Sequence, residues 1–244
     1  MKQRICKNIA IVLAGGNGSR MMRDIPKQYM NICEKPVLSY SLQTFNDSAL
    51  IDGIIIVAAD PEDERLERIV SDAHCSKNVQ IAHAGDFRYE SVNNALQIIS
   101  TGLGELYASD GLVFVHDSAR ACITTEMIAR LYDDAKKYGS AVASVPSKDT
   151  VKISSPDNYV ISTPDRDRVH IIQTPQVFET AALIEAYNKM ISDADRGNIT
   201  DDAMVMENYS SVRVHLSEGD YTNIKLTTPE DITFVERILL ARKQ

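Results

Sequence analysis

The stretch that most constrains this chain is IAIVLAGGNGSRMMRDIPK, from Ile9 to Lys27. Its apolar, β-branched opening, Ile9-Ala10-Ile11-Val12-Leu13, is the pattern of a strand buried on both faces of a parallel sheet. The run empties into Ala14-Gly15-Gly16-Asn17-Gly18-Ser19-Arg20. Glycines at that density let the backbone come close to another group and turn through positive φ. Backbone N–H groups gathered in such a turn form a nest for anions, and the Arg20 guanidinium matches phosphate oxygens. Pro26 then fixes the backbone, and Lys27 brings a second cation to the turn. A nest with two cations points to a polyphosphate ligand. The bland alternative is a tight strand-to-helix turn carrying two surface cations. A Walker A loop is excluded, since the glycines lie too close together and its lysine is missing. A dinucleotide fingerprint fails because Met21 stands where the third glycine belongs.

A length of 244 residues admits one large α/β domain or two small ones. No apolar run is long enough for a membrane-spanning helix. The N-terminal MKQRICKN runs into the first strand with no cleavable signal pattern, so a cytoplasmic protein is expected. A net charge of −8 argues against general binding of nucleic acid or anionic membrane, while leaving room for a nucleotide in a locally cationic cleft. Cys6, Cys33, Cys75 and Cys122 form no C-x-x-C pair, and the five histidines no metal-binding spacing. Reduced thiols are expected, and neither zinc nor a disulfide framework.

Downstream, helical and strand patterns alternate. Pro36–Phe45 reads as a helix, Gly53–Ala58 as a buried strand, Pro61–Ala73 as an amphipathic helix and Val79–Ala82 as a short strand. Gly85-Asp86-Phe87-Arg88 opens a helix running to about Ile99. A glycine and polar residues at a helix N-terminus suit an anion or a hydroxyl-rich ligand, and equally a cap in which Asp86 accepts backbone N–H bonds and Arg88 is solvated. Leu112–Asp117 is a strand ending in an acid. In open parallel sheets ligands sit beyond the carboxyl ends of strands, so Asp117 is placed to meet a metal-bound triphosphate, with Arg120 three residues on. Thr124 caps the helix that follows, and Ala141–Pro146 is another strand.

From Ser147 to Gln173 apolar and polar residues alternate around turn residues Ser155-Pro156-Asp157-Asn158. That reads as a β-hairpin projecting from the domain, a natural contact for a homodimer. Helices are expected over Ala181–Ile191 and from Thr200-Asp201-Asp202 to about Asn208, a strand over Val212–Leu216, and a last helix from Pro229. The expected fold is α/β and Rossmann-like: one domain, residues 1–244, built on a mainly parallel sheet with helices on both faces, plus an inserted β-arm at 147–173.

The motifs L-A-G-G-x-G-S-R-M and P-K-Q-Y resemble the sugar-phosphate nucleotidyltransferases, and within them the cytidylyltransferases of the methylerythritol phosphate route to isoprenoids. Ribitol-5-phosphate cytidylyltransferases are close relatives with a similar loop. Further matches follow in the family's order: G-x-x-R-x-x-S-V at Gly85, H-D-x-A-R at His116, D-T at Asp149, T-x-D-R at Thr163, Q-T-P-Q at Gln173, T-D-D at Thr200 and N-I-K-x-T-x-P-x-D at Asn223. Ala121 departs from the family's proline after H-D-x-A-R, which touches loop stiffness and no functional group. The resemblance implies transfer of CMP from CTP to 2-C-methyl-D-erythritol 4-phosphate, releasing pyrophosphate. It implies that Ala14, Gly15, Gly16, Asn17, Gly18, Ser19, Gly85, Asp86, Ser91 and Asp117 bind CTP, with Mg²⁺ at Asp117. Arg20, Lys27, Arg166 and Lys225 would carry the chemistry. Arg120, Thr150, Arg166, Thr174, Thr200 and Lys225 would bind the polyol phosphate, with Arg166 donated by a second subunit. Two other classes compete: an oxidoreductase on a doubly wound sheet, and a catalytically silent nucleotide-binding protein of the same fold.

Overall fold

The computed structural model describes residues 7–16, 25–102 and 108–242. Strand β1 (Ile9–Ala14) sits near the middle of a seven-stranded sheet, and its alternation sorts the core. Ile9 and Ile11 enter one apolar cluster, whereas Ala10, Val12 and Ala14 enter another on the opposite face. A short antiparallel ribbon, β2 (Asn31–Ile32) and β3 (Lys35–Pro36), turns through Cys33 and Glu34 at φ of 47° and 70°. Then come α1 (Val37–Asp47), β4 (Gly53–Ala58), α2 (Glu64–Asp72), β5 (Asn78–His83), α3 (Arg88–Thr101), β6 (Leu112–Asp117) and α4 (Thr125–Tyr138). Strands β5, β4, β1 and β6 are parallel neighbours, with α1, α2 and α4 on one face and α3 on the other. This is the expected α/β architecture. Thr124 caps α4 as expected, accepting from Met127 N at 3.2 Å.

The second half departs from the expectation. Strand β7 (Ser140–Pro146) is followed by a small ribbon, β8 (Ile153–Ser154) and β9 (Val160–Ser162), and then by β10 (His170–Glu179). Strand β10 lies in the main sheet, antiparallel to both β6 and β7. Residues 170–173 therefore belong to the sheet, and β7 and β10 form one long hairpin with β8–β9 near its tip. The pairing of β10 with β7 breaks register between Ile172 and Gln176, which hides the strand's alternation from a sequence reading.

Helices α5 (Thr180–Ser192) and α6 (Asp202–Tyr209) complete the α3 face. The last strand, β11 (Leu216–Glu218), begins where the expected Val212–Leu216 strand ends. The Ser140 hydroxyl explains the shift: it donates to Arg213 O and accepts from His215 N, both at 2.9 Å, so a side chain takes the place of ladder partners there. Helix α7 (Glu230–Ala241) packs Val235 and Leu239 against Ile32, Ala121, Cys122 and Leu226. This third cluster ties the C-terminal segment to the loop after β6. Among the described residues no helix is long and apolar enough to cross a membrane, and Cys33, Cys75 and Cys122 are free thiols.

Candidate active site

The carboxyl ends of β1, β5 and β6 open into a cavity of about 490 Å³, within the range of small-molecule sites. Its lining includes Gly15, Gly16, Lys27, Gly85, Asp86, Phe87, Arg88, Ser91, Asp117 and Lys225. Gly15 is dictated by packing: a Cβ there would lie 2.4 Å from the Ala84 methyl carbon, so the β1 and β5 loops close together only over a glycine. Gly85 is equally confined, its Cβ position falling 2.3 Å from Glu90 Cβ.

Asp117 is the electrostatic centre. One carboxylate oxygen lies 2.6 Å from Lys225 Nζ and the other 3.5 Å from Arg88 Nε. Burial alone would push this carboxyl up. The Arg88 and Lys225 charges, the Lys225 hydrogen bond and the Arg120 charge together outweigh burial and hold it well below the usual carboxylate range. Arg88 also donates from Nη2 to Asp202 at 2.8 Å, and fully buried Asp202 accepts from Tyr187 Oη at 2.6 Å. A charged relay thus runs from Lys225 through Asp117 and Arg88 to the start of α6. Removing one partner of such a buried pair costs about 3–5 kcal/mol.

The backbone of Asp117 is fixed from behind. Its N–H donates to Thr174 Oγ1 at 3.0 Å, and Thr174 Oγ1 lies 3.1 Å from His116 Nδ1. His116 Nε2 lies 3.3 Å from the carbonyl of Arg120, which can only accept, so Nε2 carries the proton and the Thr174 hydroxyl donates to Nδ1. Burial pushes the His116 ring down to about 4, so it is neutral across the physiological range.

Lys225 is delivered by a chain of long-range bonds. Arg120 Nη1 donates to Asn223 O at 2.8 Å, Asn223 Nδ2 donates to Thr174 O at 2.9 Å, and Leu226 N donates to Ala119 O at 2.9 Å. Lys27 Nζ reaches Leu226 O at 3.2 Å, which brings a cation from each end of the chain to one wall.

Several expected residues take different stations. Asn17, Gly18, Ser19 and Arg20 lie outside the described residues. Ala14 is buried at the end of β1. Thr174 and Arg120 are buried behind the cavity, bonded to protein groups, and burial pushes the Arg120 guanidinium down. Thr200 is exposed just before α6, and Thr150 and Arg166 are exposed on the segment around β8–β9. Asp86 does not cap α3. Glu90 does so by accepting from Phe87 N at 3.1 Å, leaving Asp86 on the cavity rim. Nor is Arg88 solvated, and its part in the relay was missed. One signal was available: an arginine in the first turn of a helix opposes the helix dipole and calls for acidic partners elsewhere. Asp202 was missed as well, because Asp201 takes the cap of α6 and frees its neighbour for Arg88.

Comparison with known proteins supplies the family. The family model of 2-C-methyl-D-erythritol 4-phosphate cytidylyltransferase matches residues 8–241. The chain belongs to that family. Curated members include the enzymes of Lachnoclostridium phytofermentans, 43% identical with 96% of each chain covered, and of Lachnospira eligens, 41% identical over 92% of this chain and 96% of that one. Among solved structures, the 4-diphosphocytidyl-2C-methyl-D-erythritol synthase of Anaerococcus prevotii superposes with a TM-score of 0.82 at 29% identity, with 96% of each chain covered. Membership in this cytidylyltransferase family sets aside the oxidoreductase reading.

Proposed function

We infer that this protein transfers CMP from CTP to 2-C-methyl-D-erythritol 4-phosphate, and that the cavity above β1, β5 and β6 is where it does so. The observation that carries the reading is the convergence of Lys27, Lys225 and Asp117 on one cavity beside Gly15 and Gly16. An oxygen of the acceptor phosphate attacks the α-phosphorus of CTP, the bond from that phosphorus to the β-phosphate oxygen breaks, and pyrophosphate leaves with the electron pair. No general base is needed, because a phosphate monoester is already ionised near neutral pH. Catalysis is then positioning plus a positive field where charge builds up. Lys27, together with Arg20, stabilises the five-coordinate phosphorus and the leaving pyrophosphate. Lys225 holds the acceptor phosphate against the repulsion of the triphosphate.

Asp117 fits a divalent cation of the Mg²⁺ type. Among the described residues no cluster of acids, cysteines or histidines could cage a metal, but Mg²⁺ ordinarily takes one or two carboxylates and completes its shell with substrate phosphates and water. When bound, the ion would neutralise charge across the phosphates. The relay from Arg88 keeps Asp117 ionised for that purpose.

The acceptor half is completed by a second copy of the chain. Arg166 and Thr150 are exposed on the segment that carries β8–β9, whose own residues Ile153, Val160 and Ile161 are exposed as well. A two-stranded ribbon with such side chains gains from a partner surface, and the proposed homodimer places Arg166 on the acceptor of the neighbouring subunit. The test follows a label on the α-phosphorus of CTP. The label is expected in the polyol product, with unlabelled pyrophosphate released. Label appearing as free CMP in the presence of acceptor would show hydrolysis and overturn the reading.

A further inference from the structure

We propose that Phe87 is a nucleobase-binding residue, its ring forming the wall against which the pyrimidine of the bound nucleotide stacks. The inference rests on the reading of the cavity as the CTP site. Phe87 lines the cavity yet is 60% exposed, and it stands between Asp86 and Arg88 at the N-terminus of α3. A single exposed apolar residue needs no explanation by itself. The way this one is held does.

Its backbone is fixed twice, by the bond from its N–H to Glu90 and by its carbonyl, which accepts from Ser91 N at 3.2 Å and Ser91 Oγ at 3.3 Å. Its ring lies parallel to Tyr89, with centroids 5.4 Å apart and 4° between planes. Tyr89 is in turn pinned by Arg196, which donates from Nη2 to the Tyr89 hydroxyl at 3.3 Å and lies 5.3 Å from the ring centroid. Arg196 is anchored on the Asp193 carbonyl at 2.9 Å. The Phe87 ring is therefore mounted from two elements distant in sequence, with one face occupied and a large part of its surface left open. Offset aromatic stacks are favoured geometries, and a preset ring binds without a new ordering cost.

Charge decides which part of a nucleotide meets it. The triphosphate belongs at Gly15, Gly16, Lys27 and Lys225, where cations and backbone gather. The Asp86 carboxylate repels phosphate and can accept from an exocyclic amine, so the base belongs at the Gly85–Phe87 end. There Phe87 carries the larger of the two aromatic rings among the described lining residues, the other being the His83 imidazole, whose Nδ1 lies 2.6 Å from Ala84 O.

The experiment is calorimetric titration of the full-length protein, with Mg²⁺ present, using CTP and inorganic tripolyphosphate on wild type, Phe87→Ala, Phe87→Leu and Phe87→Trp. Stacking on an aromatic side chain predicts that Phe87→Ala weakens CTP binding about tenfold and leaves tripolyphosphate binding unchanged. Phe87→Leu, which keeps apolar bulk without a ring face, weakens CTP in the same sense, and Phe87→Trp recovers most of the loss. In turnover the alanine variant raises KM for CTP with kcat preserved. Unchanged CTP affinity in the alanine variant, or equal weakening of CTP and tripolyphosphate, would overturn the assignment. Wild-type protein that binds tripolyphosphate but not CTP would instead overturn the nucleotide reading beneath it.

Discussion

At the scale of single residues, the site depends on how Asp117 is held by its protein partners. His116 and Thr174 hold the backbone of Asp117, and Arg88 and Lys225 hold its carboxylate. This arrangement carries a pH signature. The folded His116 ring titrates near 4, below its ordinary value of 6.5. Between those values the unfolded chain binds a proton that the folded one does not, so stability falls as pH drops from 6.5 to 4 and the contribution is complete above 6.5. The window corresponds to about 3 kcal/mol. Urea unfolding of wild type and His116→Gln at pH 7, 5.5 and 4.5 checks this, and the glutamine variant should lose the steep part of the decline in that window. Asp117 and Lys225 were legible in the sequence because each sits in a dense motif at the end of a strand or loop. Arg88, Asp202 and Tyr187 were not. Their function is a contact among α3, α5 and α6, and apart from the arginine in the first turn of α3 nothing in the local pattern of these helices marks it.

At the scale of elements, the parallel half was readable because β1, β4 and β6 are continuous apolar runs, each closed by a turn or a charged helix. The antiparallel half was misread for a specific reason. Gln173 and Thr174 are buried polar residues inside β10, and there they hold the Asp220 loop, Asp117 and His116. A strand interrupted by such residues looks like part of an arm. The arm itself yields the prediction at this scale. Lys27→Ala and Arg166→Ala homodimers should each be severely impaired. A mixed dimer should regain activity, because one of its two sites receives both native residues. Turnover of purified, doubly tagged heterodimers measures this, and inactivity of verified heterodimers would place Arg166 in its own subunit's site.

At the scale of the whole molecule, the chain folds so that segments 199 residues apart in sequence meet at one cavity wall. Residues near the N-terminus supply the glycine turn and Lys27, while residues from 223 to 226 supply Lys225 and the bonds that fix it, and α7 clamps that segment onto the loop after β6. The fold is thus a means of concentrating a few cations on a protein of net charge −8. The net charge argued against general binding of nucleic acid, and the glycine turn with its cations pointed to a polyphosphate, but only the tertiary bonds show which cations are gathered. The central claim is that these cations serve transfer to one particular polyol phosphate. The measurement that tests it is pyrophosphate release from CTP and Mg²⁺, run in parallel with 2-C-methyl-D-erythritol 4-phosphate and with ribitol 5-phosphate. Release is expected with the first acceptor and not with the second. Release with ribitol 5-phosphate alone, or with neither acceptor by protein shown to bind CTP, would contradict the account.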